Sequence, residues 1–135
     1  MSDLKRPEIE QAVTWLYTED FDKLVPFYRD VLELELVLEQ PRTRVFRTAP
    51  GAFLGVCCMA ERPLGTKGVM YTFLCADVMA MYEYLLAKGV EFEHPPRPLG
   101  DGTLIATFFR DPQGYHLQIQ EFRDPRWVYP PRDKG

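Results

Sequence analysis

Residues 108–122 read FFRDPQGYHLQIQEF, and the fold turns on them. Asp111-Pro112-Gln113-Gly114 is turn chemistry. Proline presets one φ, glycine accepts a positive φ, and an Asp side chain bonds forward to its own backbone. Apolar residues flank the turn, so strands are expected at 104–109 and 115–122. Alternation in the second strand sets His116, Gln118 and Gln120 on one face, and Leu117 and Ile119 on the other. The apolar pair is expected under helices, the polar three toward a cavity or solvent.

Upstream, the same kinds of segment occur twice. Residues 12–18 are rich in strand formers, and Asp20 then stands at a helix N-cap. Phe21, Leu24, Phe27, Tyr28 and Val31 follow at helical spacing. Pro26 inside that run predicts a bend, or a helix that begins close to it. Residues 34–39, 44–48 and 52–59 read as three strands, with a turn at Pro50-Gly51. After a linker at 61–68 the pattern restarts. A strand is expected over 69–75, and a helix from the Asp77 cap through Lys88 with Gly89 as its stop. A strand is expected over 90–93, and a loop over 94–102. Asp20 and Asp77 lie 57 residues apart. The chain thus reads as two βαβββ modules, about 12–60 and 68–122, in one α+β domain. A polar arm (1–11) and a Pro- and Arg-rich tail (123–135) flank it.

Composition narrows the classes. The 135 residues suit one domain, and 46% hydrophobic content supplies a core without disulfides. A net charge of −4 with scattered Arg argues against a nucleic-acid partner, which needs a basic patch. Three cysteines, two of them the adjacent Cys57 and Cys58, suit a reducing compartment. The N-terminus lacks an apolar signal core, and no run is long enough to span a bilayer. A cytoplasmic location with no membrane partner is the default expectation.

The run VTWLYTEDFDKLVPFYRDVLELEL (13–36), followed later by FFRDPQGYHLQIQEF (108–122), resembles the vicinal-oxygen-chelate superfamily of glyoxalases, bleomycin-resistance proteins and extradiol dioxygenases. The likeness covers about residues 12–122. It implies two modules forming a curved mixed sheet around a half-open cavity, commonly in a homodimer. Metal-dependent members hold a divalent cation there, and the metal stabilises an oxyanionic intermediate. Metal-free members sequester a planar or polycyclic molecule.

Carried over residue by residue, the resemblance places ligand positions at Val13, seven residues before Asp20, and at Tyr71, six before Asp77. The last lies at Gln118, four after Gly114, and another falls at Gly55 or Cys57. Val13 has no donor atom, and a phenol such as that of Tyr71 titrates near ~10. Gln118 offers one neutral oxygen. No metal or other cofactor is expected from that set.

The expected small-molecule ligand would then meet aromatic walls: Val13, Trp15 and Tyr17 on the first strand, Tyr71, Phe73 and Cys75 on the fifth. Gln118, Tyr71 and His116 would orient it, the last also a candidate base because imidazole titrates near ~6.5. Against this stands plain core packing, the commoner role of aromatic stripes. His94 reads as a rim residue, Cys57 and Cys58 as inert thiols, and Arg97 and Arg110 as surface cations or anion pins. Trp127 and Tyr129 suggest a tail that packs on a partner or on its own domain. A variant metal enzyme (lyase, isomerase or dioxygenase) recruiting His116, Gln118 and Glu121 or Glu61 is the alternative, and a module that kept the fold and lost its site is a third.

Overall fold

The computed structural model describes residues 5–59, 65–99 and 102–126. Glu61, Trp127 and Tyr129 lie outside them. Chain contacts divide the molecule into two units, 1–65 and 66–135, and each repeats one plan.

In the first unit, β1 (Ala12–Tyr17) leads to α1 (Phe21–Pro26), then β2 (Glu35–Gln40), β3 (Thr43–Ala49) and β4 (Ala52–Cys57). The sheet order is β1-β4-β3-β2, with β1 parallel to β4 and the other pairs antiparallel. Asp20 caps α1 by accepting the Asp22 amide at 2.9 Å. Pro26 does not begin the helix, one of the two expected outcomes. It closes α1, and Phe27–Val31 continues as one wide π turn. Proline cannot donate to the carbonyl four residues back, so the chain takes the longer ladder, with Leu32 N–H on the Phe27 carbonyl at 3.0 Å. The π turn lays Tyr28 against Phe46, with ring centroids 5.9 Å apart. Leu16, Leu24, Tyr28, Phe46, Leu54 and Val56 are fully buried on that side of the sheet.

The second unit runs β5 (Met70–Leu74), α2 (Val78–Ala87), β6 (Arg97–Leu99), β7 (Leu104–Arg110) and β8 (His116–Phe122), in sheet order β5-β8-β7-β6. Here too the first and last strands pair in parallel. Asp77 caps α2 through the Ala80 amide at 3.0 Å. Gly89, at φ 92°, ends it: its N–H reaches the Leu86 carbonyl and that of Val90 the Leu85 carbonyl, the paired bonds of a Schellman stop. Tyr82, Phe92 and Phe109 stack in series, centroids 4.8 and 5.1 Å apart, and so mark the face of the sheet that α2 covers. Leu117 and Ile119 are buried there as expected.

One strand is displaced. Residues 90–93 make only the isolated bridge Phe92–Phe109, and the edge strand is Arg97–Leu99, inside the expected loop. Pro98 is tolerated because an edge strand leaves half its amides unpaired.

The turn at 111–114 is built by Asp111. Its Oδ1 accepts the amides of Gln113, Gly114 and Tyr115 at 3.0, 2.9 and 2.9 Å. Gly114 sits at φ 103°, a value costly for any side chain. No helix among the described residues is long and apolar enough to cross a membrane.

Candidate functional site

Each sheet turns one face toward its helices and one away, and strand register decides which residues share a face. In the first unit Val13 pairs with Phe53, Trp15 with Gly55 and Tyr17 with Cys57. These six lie opposite the face that carries Leu16, Leu54 and Val56. The Trp15 indole occupies the space over Gly55. A Cβ there would fall 2.2 Å from Trp15 Cε3, so only glycine permits the contact. Trp15 nevertheless stays 40% exposed, as Val13 stays 41% exposed. An aromatic ring backed by peptide on one side and bare on the other is a stacking platform. Phe53 beside it carries Arg47 5.2 Å from its ring centroid, and Arg47 is tied to Glu35 at 3.2 Å.

In the second unit the register corrects an expectation. Tyr71 pairs with Leu117 and Phe73 with Ile119, so both lie on the face toward α2, with ring centroids 5.0 Å apart. They do not share a face with His116 and Gln118. The residues that do are Met70 and Thr72. Val13 and Met70 are 57 residues apart, as are the two caps, and so are Trp15 and Thr72. Counting six residues back from Asp77 rather than seven gave the wrong face, because side chains alternate with period two.

Gln118 is buried. Its Oε1 accepts the Thr72 hydroxyl at 2.6 Å, which turns the amide group of Gln118 outward from that contact. Gln120 is buried on the same face. His116 Nε2 lies 2.9 Å from Glu93 Oε2, and its ring stacks on Phe108, centroids 5.0 Å apart at 28°. His94 meets Phe108 edge-on, with ring centroids 5.8 Å apart.

The remaining candidates have structural partners. Arg110 donates to the Gly114 carbonyl at 2.9 Å and so braces the turn. Glu121 accepts the Val78 amide at 3.0 Å. Cys57, Cys58 and Cys75 form no disulfide among the described residues, and Cys57 is buried. Burial, above all, holds the Cys75 thiol above its ordinary range; a backbone contact to Gln120 lowers it, and the charges of Glu121 and Asp77 raise it further.

A divalent cation needs converging anionic or imidazole donors. Among the described residues no three His, Cys, Asp or Glu side chains gather. Val13 offers nothing, Met70 a thioether, and the one carbonyl oxygen of the Gln118 side chain is engaged by Thr72. These residues do not fit the cation that metal-dependent relatives of such a fold would carry.

The model of the Glyoxalase/Bleomycin resistance protein/Dioxygenase superfamily matches residues 9–119. The chain belongs to that superfamily. Among solved structures, a glyoxalase/bleomycin resistance protein/dioxygenase from Nocardioides is similar at 23% identity and a TM-score of 0.69, covering 93% of this chain and 92% of that one. A lactoylglutathione lyase from Agrobacterium tumefaciens is similar at 24% identity and a TM-score of 0.69, covering 90% and 100%. TioX from Micromonospora sp. ML1 is similar at 21% identity and a TM-score of 0.64, covering 82% and 94%. At these identities the likeness carries the superfamily fold alone. No curated protein sequence matches the chain significantly.

Glu93 and Thr72 are the site residues that sequence reasoning missed. The 57-residue offset between the caps would have found Thr72. Glu93 had no signal, since its neighbourhood was expected to be a regular strand.

Proposed function

We propose that this member of the superfamily binds a small apolar or aromatic molecule without a metal. The observation that carries the reading is Trp15, seated over Gly55 and still 40% exposed. Exposed aromatic surface of this kind favours a flat ring stacked upon it. Val13 and Tyr17 flank the platform on the same face of β1. The metal-free part of the reading draws on donor chemistry: Val13 has no donor atom, Met70 only a thioether, and the Gln118 carbonyl oxygen is engaged by Thr72. The homodimer implied by the resemblance belongs to the same reading, and sedimentation equilibrium tests it: a monomer at every working concentration removes that part.

The chain has two tryptophans, so a Trp127→Phe variant leaves Trp15 as the sole indole emitter. Titration of that variant with quinoline and with naphthalene is expected to quench its fluorescence saturably. Adding Trp15→Ala is expected to abolish saturable uptake by calorimetry. Failure of both probes to saturate would remove the platform. Separately, calorimetric titration with Ni²⁺, Zn²⁺ and Mn²⁺ is expected to show no tight stoichiometric binding. Tight binding would transfer the protein to the metal-dependent side of its superfamily.

A further inference from the structure

The face of the first sheet that carries Trp15 is apolar along one row and charged along the next. Register sets Trp15, Gly55, Val45 and Leu38 side by side across β1, β4, β3 and β2. Val45 is buried, whereas Trp15 and Leu38 stay 40% and 45% exposed. The neighbouring row runs Val13, Phe53, Arg47 and Glu35. Cross-strand partners share a face, so the Arg47–Glu35 pair borders an exposed apolar surface.

Two side chains lean onto β4 from opposite sides. Trp15 reaches across from β1 until its indole covers Gly55. Arg47 reaches across from β3 until its guanidinium lies 5.2 Å from the ring centroid of Phe53. Positions 53 and 55 are same-face neighbours on one strand, with Cα atoms about 6.5 Å apart. The ring and the cation therefore stand over adjacent places on a single strand, a spacing that one bicyclic molecule spans.

Arg47 is also fixed in direction. The Phe53 ring attracts the cation over its face, and Nε donates to Glu35 Oε1 at 3.2 Å. Glu35 takes Nε alone. The two terminal amino groups of Arg47 make no other hydrogen bond among the described residues. Their paired N–H groups match the two oxygens of a carboxylate.

We propose that Arg47 sets the charge selectivity of this face, and that the molecule it takes is an aromatic carboxylate, with its ring on Trp15 and its oxygens on the terminal amino groups of Arg47. The assignment rests on the Trp15 platform and adds the ligand class to it. Glu35 tempers the hold, because its own charge lies beside the incoming anion. A neutral ring gains nothing from Arg47, and a cationic one turns to Glu35.

The probes are 2-naphthoate, its neutral isostere 2-naphthamide, and 2-naphthylmethylammonium, each titrated by calorimetry into the intact chain. 2-Naphthoate is expected to bind about 5-fold tighter than 2-naphthamide, the scale of a half-exposed ion pair. High salt is expected to shrink that margin. Arg47→Gln is expected to erase it while 2-naphthamide binds as before. Arg47→Lys keeps the charge without the fork and is expected to restore part of it. Glu35→Gln is expected to widen it. Circular dichroism and thermal melting establish that the variants are folded. Equal affinities for 2-naphthoate and 2-naphthamide in the intact chain would overturn the assignment and leave the platform standing. So would a margin that survives Arg47→Gln, or a preference for the ammonium probe. If no probe binds, the platform falls and the assignment falls with it.

Discussion

Glu121 near the end of β8 accepts the amide hydrogen of Val78, the first residue of α2, at 3.0 Å. Asp77 takes the Ala80 amide, so two carboxylates serve one helix start, one local and one forty-three residues away. The distant one fastens α2 to the last strand as well as capping it. The helix dipole favours both charges there.

Removing that bond should be felt. Glu121→Ala is expected to cost about 1–2 kcal/mol, the usual worth of a capping group with its donor left unpaired. Urea denaturation measures it, and Glu121→Gln should retain most of the stability. A loss indistinguishable from zero in the alanine variant would mean that Asp77 suffices.

Gly55→Ala is expected to destabilise by about 1–3 kcal/mol, because the methyl enters the space of the Trp15 ring. The same change made in a Trp15→Ala background should be nearly neutral. A double-mutant cycle reads the difference; additive penalties would show that the two residues do not collide.

Asp111→Ala strips the buried acceptor from three amides, of which that of Tyr115 is itself buried. The expected cost is at least about 2 kcal/mol, since each stranded buried donor is expensive. Asp111→Asn keeps a carbonyl oxygen and should recover about half of it. Identical melting curves for the two variants would contradict the assigned role of Oδ1.

The Cys75 thiol is held protonated by its burial and by the charges of Glu121 and Asp77. Alkylation by iodoacetamide at neutral pH should therefore be slower than for a free thiol, because the thiolate is the nucleophile. The stability linked to this group has a definite sign. The folded value is raised, so the contribution is complete below the ordinary thiol range and is lost as pH climbs through the folded value. Mass spectrometry after timed labelling checks the rate. Labelling of Cys75 as fast as glutathione would refute it.

Much of this was legible in the chain. Asp20, Asp77, Gly89 and the 111–114 turn announce themselves because caps and turns are made by neighbours in sequence. The Trp15 face was legible too, since on β1 the outward residues alternate with the buried Leu16. The second module hid its own. Residues 69–75, VMYTFLC, are apolar at nearly every position. Such a run has no alternation to say which parity faces the helix, and Tyr71 was assigned to the wrong side. The His116–Glu93 pair was illegible for another reason. It joins residues twenty-three apart through a segment that leaves the sheet at Phe92 and rejoins it at Arg97. Local pattern carries no information about such a detour.

The parallel pairing of β1 with β4 and of β5 with β8 also orders events in time. Ala12 meets Ala52 and Met70 meets His116, whereas β3 with β4 and β7 with β8 are joined by short turns. Chain closure over the long intervals loses more entropy than zipping a hairpin. The hairpins are therefore expected to nucleate each half, with the opening strand of each arriving last, across an edge its own successors have already made. Trp15 lies on such a strand, so in the Trp127→Phe background the rise of its native fluorescence is expected to time the completion of the first half.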